Sequence, residues 1–392
     1  MLDESLLDTA EALARADTLG LLRGAAESGA RVRTAVRAAV EAGLADLKPD
    51  GRPRALLVAG PGPTVGCIAE LLSALDGGNV PVSHIRPYGA LADPGALLWT
   101  LPGWVGPMDL LLVVTTDGAE PGLSALIEQA YRRGCSIVTL APPNSPLTEE
   151  AGGRHGLVVP LAPTSPYEEV PEDQPLPTTR LRPAPTAELP GTLWALLTPL
   201  LVLADRIGLF SVPPPVVQAV ADRLDRVAER CGPAIATYGN PAKTLAAELA
   251  DALPLLWSDG LVAGAAGRHF ARVLTSVAGR PALAEALPEA LTAHGTLLSG
   301  AFAAGADPDD FFRDRVEDPQ ALHARVVLLR EQSTPPTHSP VPAARELALS
   351  HDTPVSELEP SLGGHSVEVL AELLAVSDFA AVYLALASGE RT

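Results

Sequence analysis

Apolar residues along the chain follow two alternating rhythms. Short unbroken runs, bounded by glycine, proline or small hydroxyl residues, alternate with longer stretches in which apolar residues recur every third or fourth position. The first rhythm is that of strands buried on both faces, the second that of helices with one apolar stripe. Residues 108–130 show the pair most clearly. Leu110 to Val114 is a continuous apolar run, Thr115-Thr116-Asp117-Gly118 interrupts it, and Leu123, Leu126 and Ala130 then repeat at helical spacing. Pro121 suits the first turn of that helix, where no amide hydrogen is needed. A strand, a turn of small residues and a helix make half of a βαβ unit, and in open α/β sheets ligands sit at such turns.

The alternation extends in both directions. Residues 3–45 read as two helices, 55–59 as a buried strand, 60–66 as a glycine-rich turn and 67–75 as a helix. A strand at 80–85, a loop-rich connection at 87–107 carrying a short helix, and strands at 136–140 and 156–160 complete a first unit. Nine prolines from 160 to 190 mark a linker or long surface loop. Helices at 192–207 and 215–231 follow, the first apolar nearly all round, as expected of a buried helix. A second unit reads as a helix at 244–253, a strand at 253–257, a turn at 258–260 and a helix at 261–277. It continues with a strand at 323–330, a proline-rich loop at 335–342, a helix at 345–350, a strand at 354–358 and a closing helix at 366–387. This spacing predicts an α/β protein with two doubly wound parallel sheets flanked by helices. The expected domains are 1–159 with the N-terminal helices and first sheet, 160–190 as connector, and 191–392 with the interdomain helices, second sheet and closing helix.

Charge and cysteine usage narrow the chemistry. The 392-residue chain has a formal charge of −19, and only two of its 28 basic residues are lysine. Binding a phosphate backbone needs clustered Lys and Arg, so the expectation is no nucleic-acid partner. Nor does any basic run suggest a membrane surface. The opening MLDESLLDTAEALARA is acidic and lacks the apolar core of a secretory signal. Residues 193–204, the longest apolar run, are interrupted by Thr198-Pro199 and fall short of the roughly 20 residues a bilayer span needs. Cys67, Cys135 and Cys231 are widely spaced without metal-ligand neighbours, the pattern of buried free thiols in a reducing cytoplasm. Gly60-Pro61-Gly62 after a strand suggests a dinucleotide fingerprint, but the third glycine falls at 66 instead of 65 and no acid ends the next strand. There is no G-x-S-x-G elbow either.

Three strings carry a family resemblance: Asn240-Pro241-Ala242-Lys243, Phe312-Arg313-Asp314, and Ser377-Asp378-Phe379-Ala380-Ala381-Val382-Tyr383-Leu384-Ala385. They resemble sugar isomerase (SIS) domain proteins of the bifunctional phosphoglucose/phosphomannose isomerase type, over most of the chain apart from the proline-rich segment. The resemblance implies two SIS domains, a homodimer, no metal and no nucleotide cofactor. It also implies aldose–ketose isomerisation of hexose 6-phosphates, with a phosphorylated sugar or related carbohydrate derivative as ligand.

The functional strings match less well than the structural ones. The family's first turn, Gly-Met-Gly-Gly-Ser, corresponds to Gly60-Pro61-Gly62-Pro63-Thr64. The resemblance therefore assigns ligand binding to Gly60, Gly62 and Thr64, with one amide donor lost at Pro63. The second turn, Ser-Tyr-Ser-Gly-Asn-Thr, corresponds to residues 115–120, where Thr115, Thr116 and Gly118 are retained as ligand contacts while Asp117 and Glu120 bring carboxylates. A carboxylate about 5 Å from a phosphate charge repels it by roughly 3 kcal/mol at an effective dielectric near 20. Phosphate affinity then falls, unless the two acids turn away to cap the next helix.

The family's catalytic base lies in an Asn-Glu-Asn-type string where this chain has Leu274-Thr275-Ser276-Val277, with no carboxylate. Glu285 and Glu289 lie nearby, in what reads as a surface helix. The family's ring-opening histidine follows Pro-Glu-Leu-Asn. Here Pro288-Glu289 precedes His294, displaced by two positions, which makes His294 the catalytic candidate. Arg268 resembles a family arginine and is carried over as a substrate contact. Two functions stay open: an active isomerase, or a SIS protein without catalysis that binds a sugar derivative or a protein partner.

Overall fold

The computed structural model describes residues 3–49, 51–89, 97–162, 190–300, 302–303, 322–331, 339–361 and 363–388. The chain divides into two compact units, Glu27–Ala221 and, together, Met1–Ala26 with Asp222–Thr392. This division groups the first helices with the second sheet, whereas the boundary drawn from sequence keeps them with the first. Phe312-Arg313-Asp314 and most of the proline-rich 160–190 segment lie outside the described residues.

The chain opens with α1 (Glu4–Leu7), α2 (Ala10–Ala16) and α3 (Leu21–Ala26). Polar residues cut what periodicity reads as one helix into three. Asp17 in particular ends α2 and accepts the amides of Leu21 and Leu22 at 2.7 and 2.9 Å, which caps α3.

The first unit runs α4 (Ser28–Glu41), β1 (Leu56–Ala59), α5 (Pro63–Asp76), β2 (Val82–Ile85), β3 (Leu110–Val114), α6 (Pro121–Arg132), β4 (Ser136–Ala141), α7 (Pro146–Gly153), β5 (Leu157–Pro160) and α8 (Thr192–Arg206). Its strands are all parallel in the order β2-β1-β3-β4-β5, with Ala59 paired to Ile85 on one side and Val113 on the other. β1 and β3 are buried along their length, since helices cover both faces of such a sheet. Leu57, Leu111, Leu123, Leu126, Ile127 and Leu147 form the centre of one core. Proline takes the first position of α5, α6 and α7, where its fixed φ helps and its missing amide costs nothing. As a result α5 starts at Pro63, and the glycine turn spans three residues instead of seven. The sequence reading omits α7, whose end carries Gly152-Gly153.

Next, α9 (Pro214–Arg230) runs from one unit into the other. The second unit holds α10 (Pro241–Leu249), β6 (Ala252–Asp259), α11 (Leu261–Ser276), β7 (Leu283–Ala286), α12 (Glu289–Ala293), α13 (Gly295–Leu298), β8 (His323–Arg330), α14 (Val341–Ser350), β9 (Val355–Leu358) and α15 (Ser366–Ala387). Its strands are parallel in the order β7-β6-β8-β9. β7, whose Leu-Ala-Glu-Ala reads as helical by composition, is a half-buried edge strand. α15 packs on α10 and α11. It is long and apolar enough to cross a membrane by length and composition, and 83% of its most apolar window is buried inside the unit.

Candidate functional site

Parallel strands bring all their carboxyl ends to one edge, and in the first sheet the order reverses between β1 and β3, where ligands of such folds sit. Gly60 follows β1 with no space for a side chain: a Cβ there would run into the carbonyl oxygen of Val114 at the end of β3. The two turns are thus pressed together by backbone. Gly62, at φ +85°, precedes Pro63 as the N-cap of α5, whose first-turn amides have no carbonyl one turn back to bond. Thr64 stands half-buried in that turn.

Thr115 is 2% exposed, and its hydroxyl accepts the amides of Asp117 and Gly118, each at 3.2 Å. It shapes the turn from within. Thr116 and Asp117 are exposed. Gly118 takes φ +72° and lies against Ser145, whose Oγ is 2.5 Å from where a Cβ would stand. Glu120 is the N-cap of α6 but makes no capping bond through its side chain, so the capping alternative does not hold at that acid. The edge therefore gathers Gly60, Gly62, Thr64, Thr115, Thr116 and Gly118. It also holds a residue that the sequence reading passed over. Arg86, exposed and one residue beyond β2, is the one basic residue in the described loops of this edge. Its place directly after a strand was the available signal.

In the second sheet the corresponding reversal lies between β6 and β8. Gly260, at φ +107°, is the N-cap of α11, and a Cβ there would collide with the carboxyl group of Glu331, which follows β8. Glu331 Oε2 accepts the amides of Val262 at 2.7 Å and Ala263 at 3.2 Å. Beside it, Asp259 accepts the Ser339 hydroxyl at 2.9 Å.

His294 is 7% exposed, and its Nδ1 accepts the indole N–H of the fully buried Trp257 at 2.9 Å. An indole only donates, which assigns the ring proton to Nε2. Burial pushes the His294 pKa below the ordinary imidazole value, opposed by the charge of Glu285. Glu285 itself lies on β7, paired with Trp257 and half-buried, instead of on a surface helix. Glu289 is exposed in α12, Ser276 is exposed at the end of α11, and Arg268 stands on the exposed face of α11. The structure thus places His294 in the core with Trp257 and Arg268 at the surface.

The strings that carry the resemblance have structural work. Asn240 Oδ1 caps α10 through the amides of Ala242 and Lys243, both at 3.1 Å. Lys243 is fully buried, donates to the carbonyls of Pro233 and Ile235 at 2.8 and 2.7 Å, and lies 5.4 Å from the ring of Tyr383. Burial lowers its pKa, with Asp8 opposing. A cleft of about 480 Å³ on α9 is lined by Arg223, Arg230, Ser361 and Glu372 among others. Its one buried carboxylate is satisfied internally. Glu372 accepts from Arg223 at 2.6 Å, from Arg230, and from the Ser361 amide and hydroxyl at 3.0 and 3.1 Å. Burial pushes Glu372 up, but these bonds outweigh it and hold the carboxyl below its ordinary value. Among the described residues no group of three His, Cys, Asp or Glu could hold a metal ion.

Residues 239–390 match the family model of the bacterial phospho-glucose isomerase C-terminal SIS domain. No curated protein matches the sequence. Among solved structures, the chain is similar to the C-terminal domain of glucosamine-fructose-6-phosphate aminotransferase from Francisella tularensis, at 14% identity and a TM-score of 0.52 over 94% of this chain and 96% of that one. It is also similar to tagatose-6-phosphate ketose/aldose isomerase from Escherichia coli, at 13% identity and a TM-score of 0.52 over 95% and 92% of the two chains. The chain therefore has the SIS fold over most of its length, and its residues 239–390 are similar to the C-terminal SIS domain of bacterial phospho-glucose isomerase.

Proposed function

We propose that the chain binds a phosphorylated sugar or related carbohydrate derivative at the reversal point of the first sheet and does not isomerise it. Binding is supported by the glycine-pinned turns at the ends of β1 and β3, with Thr64, Thr116 and Arg86 on the same edge of the sheet. Aldose–ketose isomerisation needs a carboxylate to move a proton between C1 and C2 and a group to open the ring. The observation that carries the absence of turnover is the Trp257–His294 hydrogen bond, which engages Nδ1 of the ring-opening candidate inside the core. Leu274-Thr275-Ser276-Val277, which holds no carboxylate where the resemblance places the family's base string, points the same way. Asp117 beside Thr116 weakens phosphate binding relative to a turn of hydroxyls alone.

The test is a titration with fructose 6-phosphate alongside a coupled isomerase assay on the same protein. Binding without glucose or mannose 6-phosphate formation is expected. Turnover abolished by His294→Ala would establish the second reading, an active isomerase. That reading is favoured by the proximity of Glu285 to His294, an acid whose charge helps the imidazole hold a proton.

A further inference from the structure

The two reversal points differ in one respect that neither the family nor the proposed ligand explains. At the start of α11, a sixteen-residue helix, a carboxylate of the chain itself occupies the position an anionic ligand would take. Helix N-termini favour negative charge because unpaired amides and the helix dipole converge there. Glu331 meets both conditions, since its Oε2 takes two successive first-turn amides. Its carboxyl group fills the space beside Gly260 so fully that not even a methyl group fits. Its backbone is fixed as well: it follows β8, whose Arg330 pairs with Asp259, and its amide reaches the Asp259 carbonyl at 3.4 Å.

We infer that Glu331 is a resident anion that closes the second sheet's reversal point to phosphate, so the chain takes one sugar phosphate and not two. Given the reading of the first unit above, Glu331 decides which of the two SIS sheets is a ligand site. A shorter, uncharged residue at 331 frees the amides of Val262 and Ala263. An oxyanion such as a phosphate monoester can then use them.

Amide chemical shifts on the full chain, titrated with inorganic phosphate and separately with fructose 6-phosphate, test this. In the wild type, Val262 and Ala263 are expected not to move. In Glu331→Ala both move with phosphate, and the number of responding regions rises by one. Glu331→Ser serves as a second variant, because it keeps a polar group at the strand end if the alanine protein does not fold. Movement of Val262 and Ala263 in the wild type would overturn the inference. So would their silence in a folded Glu331→Ala or Glu331→Ser protein. Thr64 and Thr116 report the first unit independently. If they stay still in every protein, the proposed ligand site fails, while the behaviour of Val262 and Ala263 still decides the role of Glu331.

Discussion

Gly62 and Gly260 hold the same post in the two units, each the positive-φ N-cap between a buried strand and the helix after it. What stands in front of the helix differs. In the first unit the nearest limit is backbone, Gly60 against the Val114 carbonyl, and the rim carries exposed Thr116 and Asp117. In the second unit the space is filled by the Glu331 side chain. A carboxylate at a helix N-terminus stabilises it by about 0.3–1 kcal/mol, more when partly buried. One and the same supersecondary unit thus carries an exposed rim in one sheet and an internal joint in the other. A single residue at the end of a neighbouring strand makes the difference.

The internal use of charge in the second unit leads to the largest expected effect. Glu372→Ala removes the acceptor shared by Arg223, Arg230 and Ser361 and leaves Arg223, with a side chain 9% exposed, without its main partner. Breaking such a buried pair costs about 3–5 kcal/mol. In the first unit Asp109→Ala strands Arg54, whose side chain is 50% exposed and can return to water, so the loss there is smaller. Urea unfolding of the two variants measures both. Equal losses would break the contrast between an internally neutralised unit and a more open one.

The glycines give a sharper version at about half that size. Gly60→Ala sets a methyl group against backbone, and overpacking of this kind costs about 1–3 kcal/mol with no side chain able to yield. At Gly260 the obstacle is the Glu331 carboxyl group. The Gly260→Ala/Glu331→Ala double variant should therefore lose less than the sum of the singles, retaining mainly the cost of the positive φ. Thermal melts of the four proteins settle it, and strict additivity at Gly260 would mean that Glu331 does not fill the space.

Much of this frame was legible in the sequence. β1 and β3 read directly from unbroken apolar runs, because a strand buried on both faces has no polar alternation to confuse it. β6 and β8 read from shorter apolar cores, so that Ser258 and Asp259, which belong to β6, read as its turn. Pro63 and Thr64 read as turn residues, which sets the expected start of α5 four residues late, although proline is at home in a first helical turn. β7 escapes because it is short and composed of helix formers, α7 because it is short and ends in Gly152-Gly153. Of the site, the two turns could be found from strand ends alone. The burial of Thr115 and the pairing of His294 with Trp257 could not, since both depend on contacts with side-chain and backbone groups that periodicity does not locate. Glu331 lies 69 residues from the amide it caps, which no local pattern can signal.

A smaller effect separates the first turn from its relatives. Replacing Asp117 with Ser and Glu120 with Thr removes two negative charges from the rim while leaving Thr115 to hold the turn. Solvent screens the exposed Asp117, so the gain is modest, about tenfold in affinity for fructose 6-phosphate by calorimetry. The same titration with Glu331 intact or replaced shows whether the two reversal points act independently.

The smallest effect belongs to His294. Its folded pKa is lowered, chiefly by burial, so above the unfolded value of about 6.5 both states are neutral and its stabilising bond from Trp257 is fully present. As pH falls below that value the unfolded chain binds a proton that the folded imidazole resists, and stability is lost until the folded pKa is reached. His294→Asn keeps an acceptor near the position of Nδ1 but cannot titrate. The melting temperature of the wild type should therefore drop more than that of the variant between pH 7.5 and pH 5.5, while the remaining histidines affect both proteins alike. Parallel slopes would mean that the ring is free to ionise, as a ring-opening acid must be. In that case His294 belongs with the open chemistry of a site and not with the filled interior that distinguishes the second unit from the first.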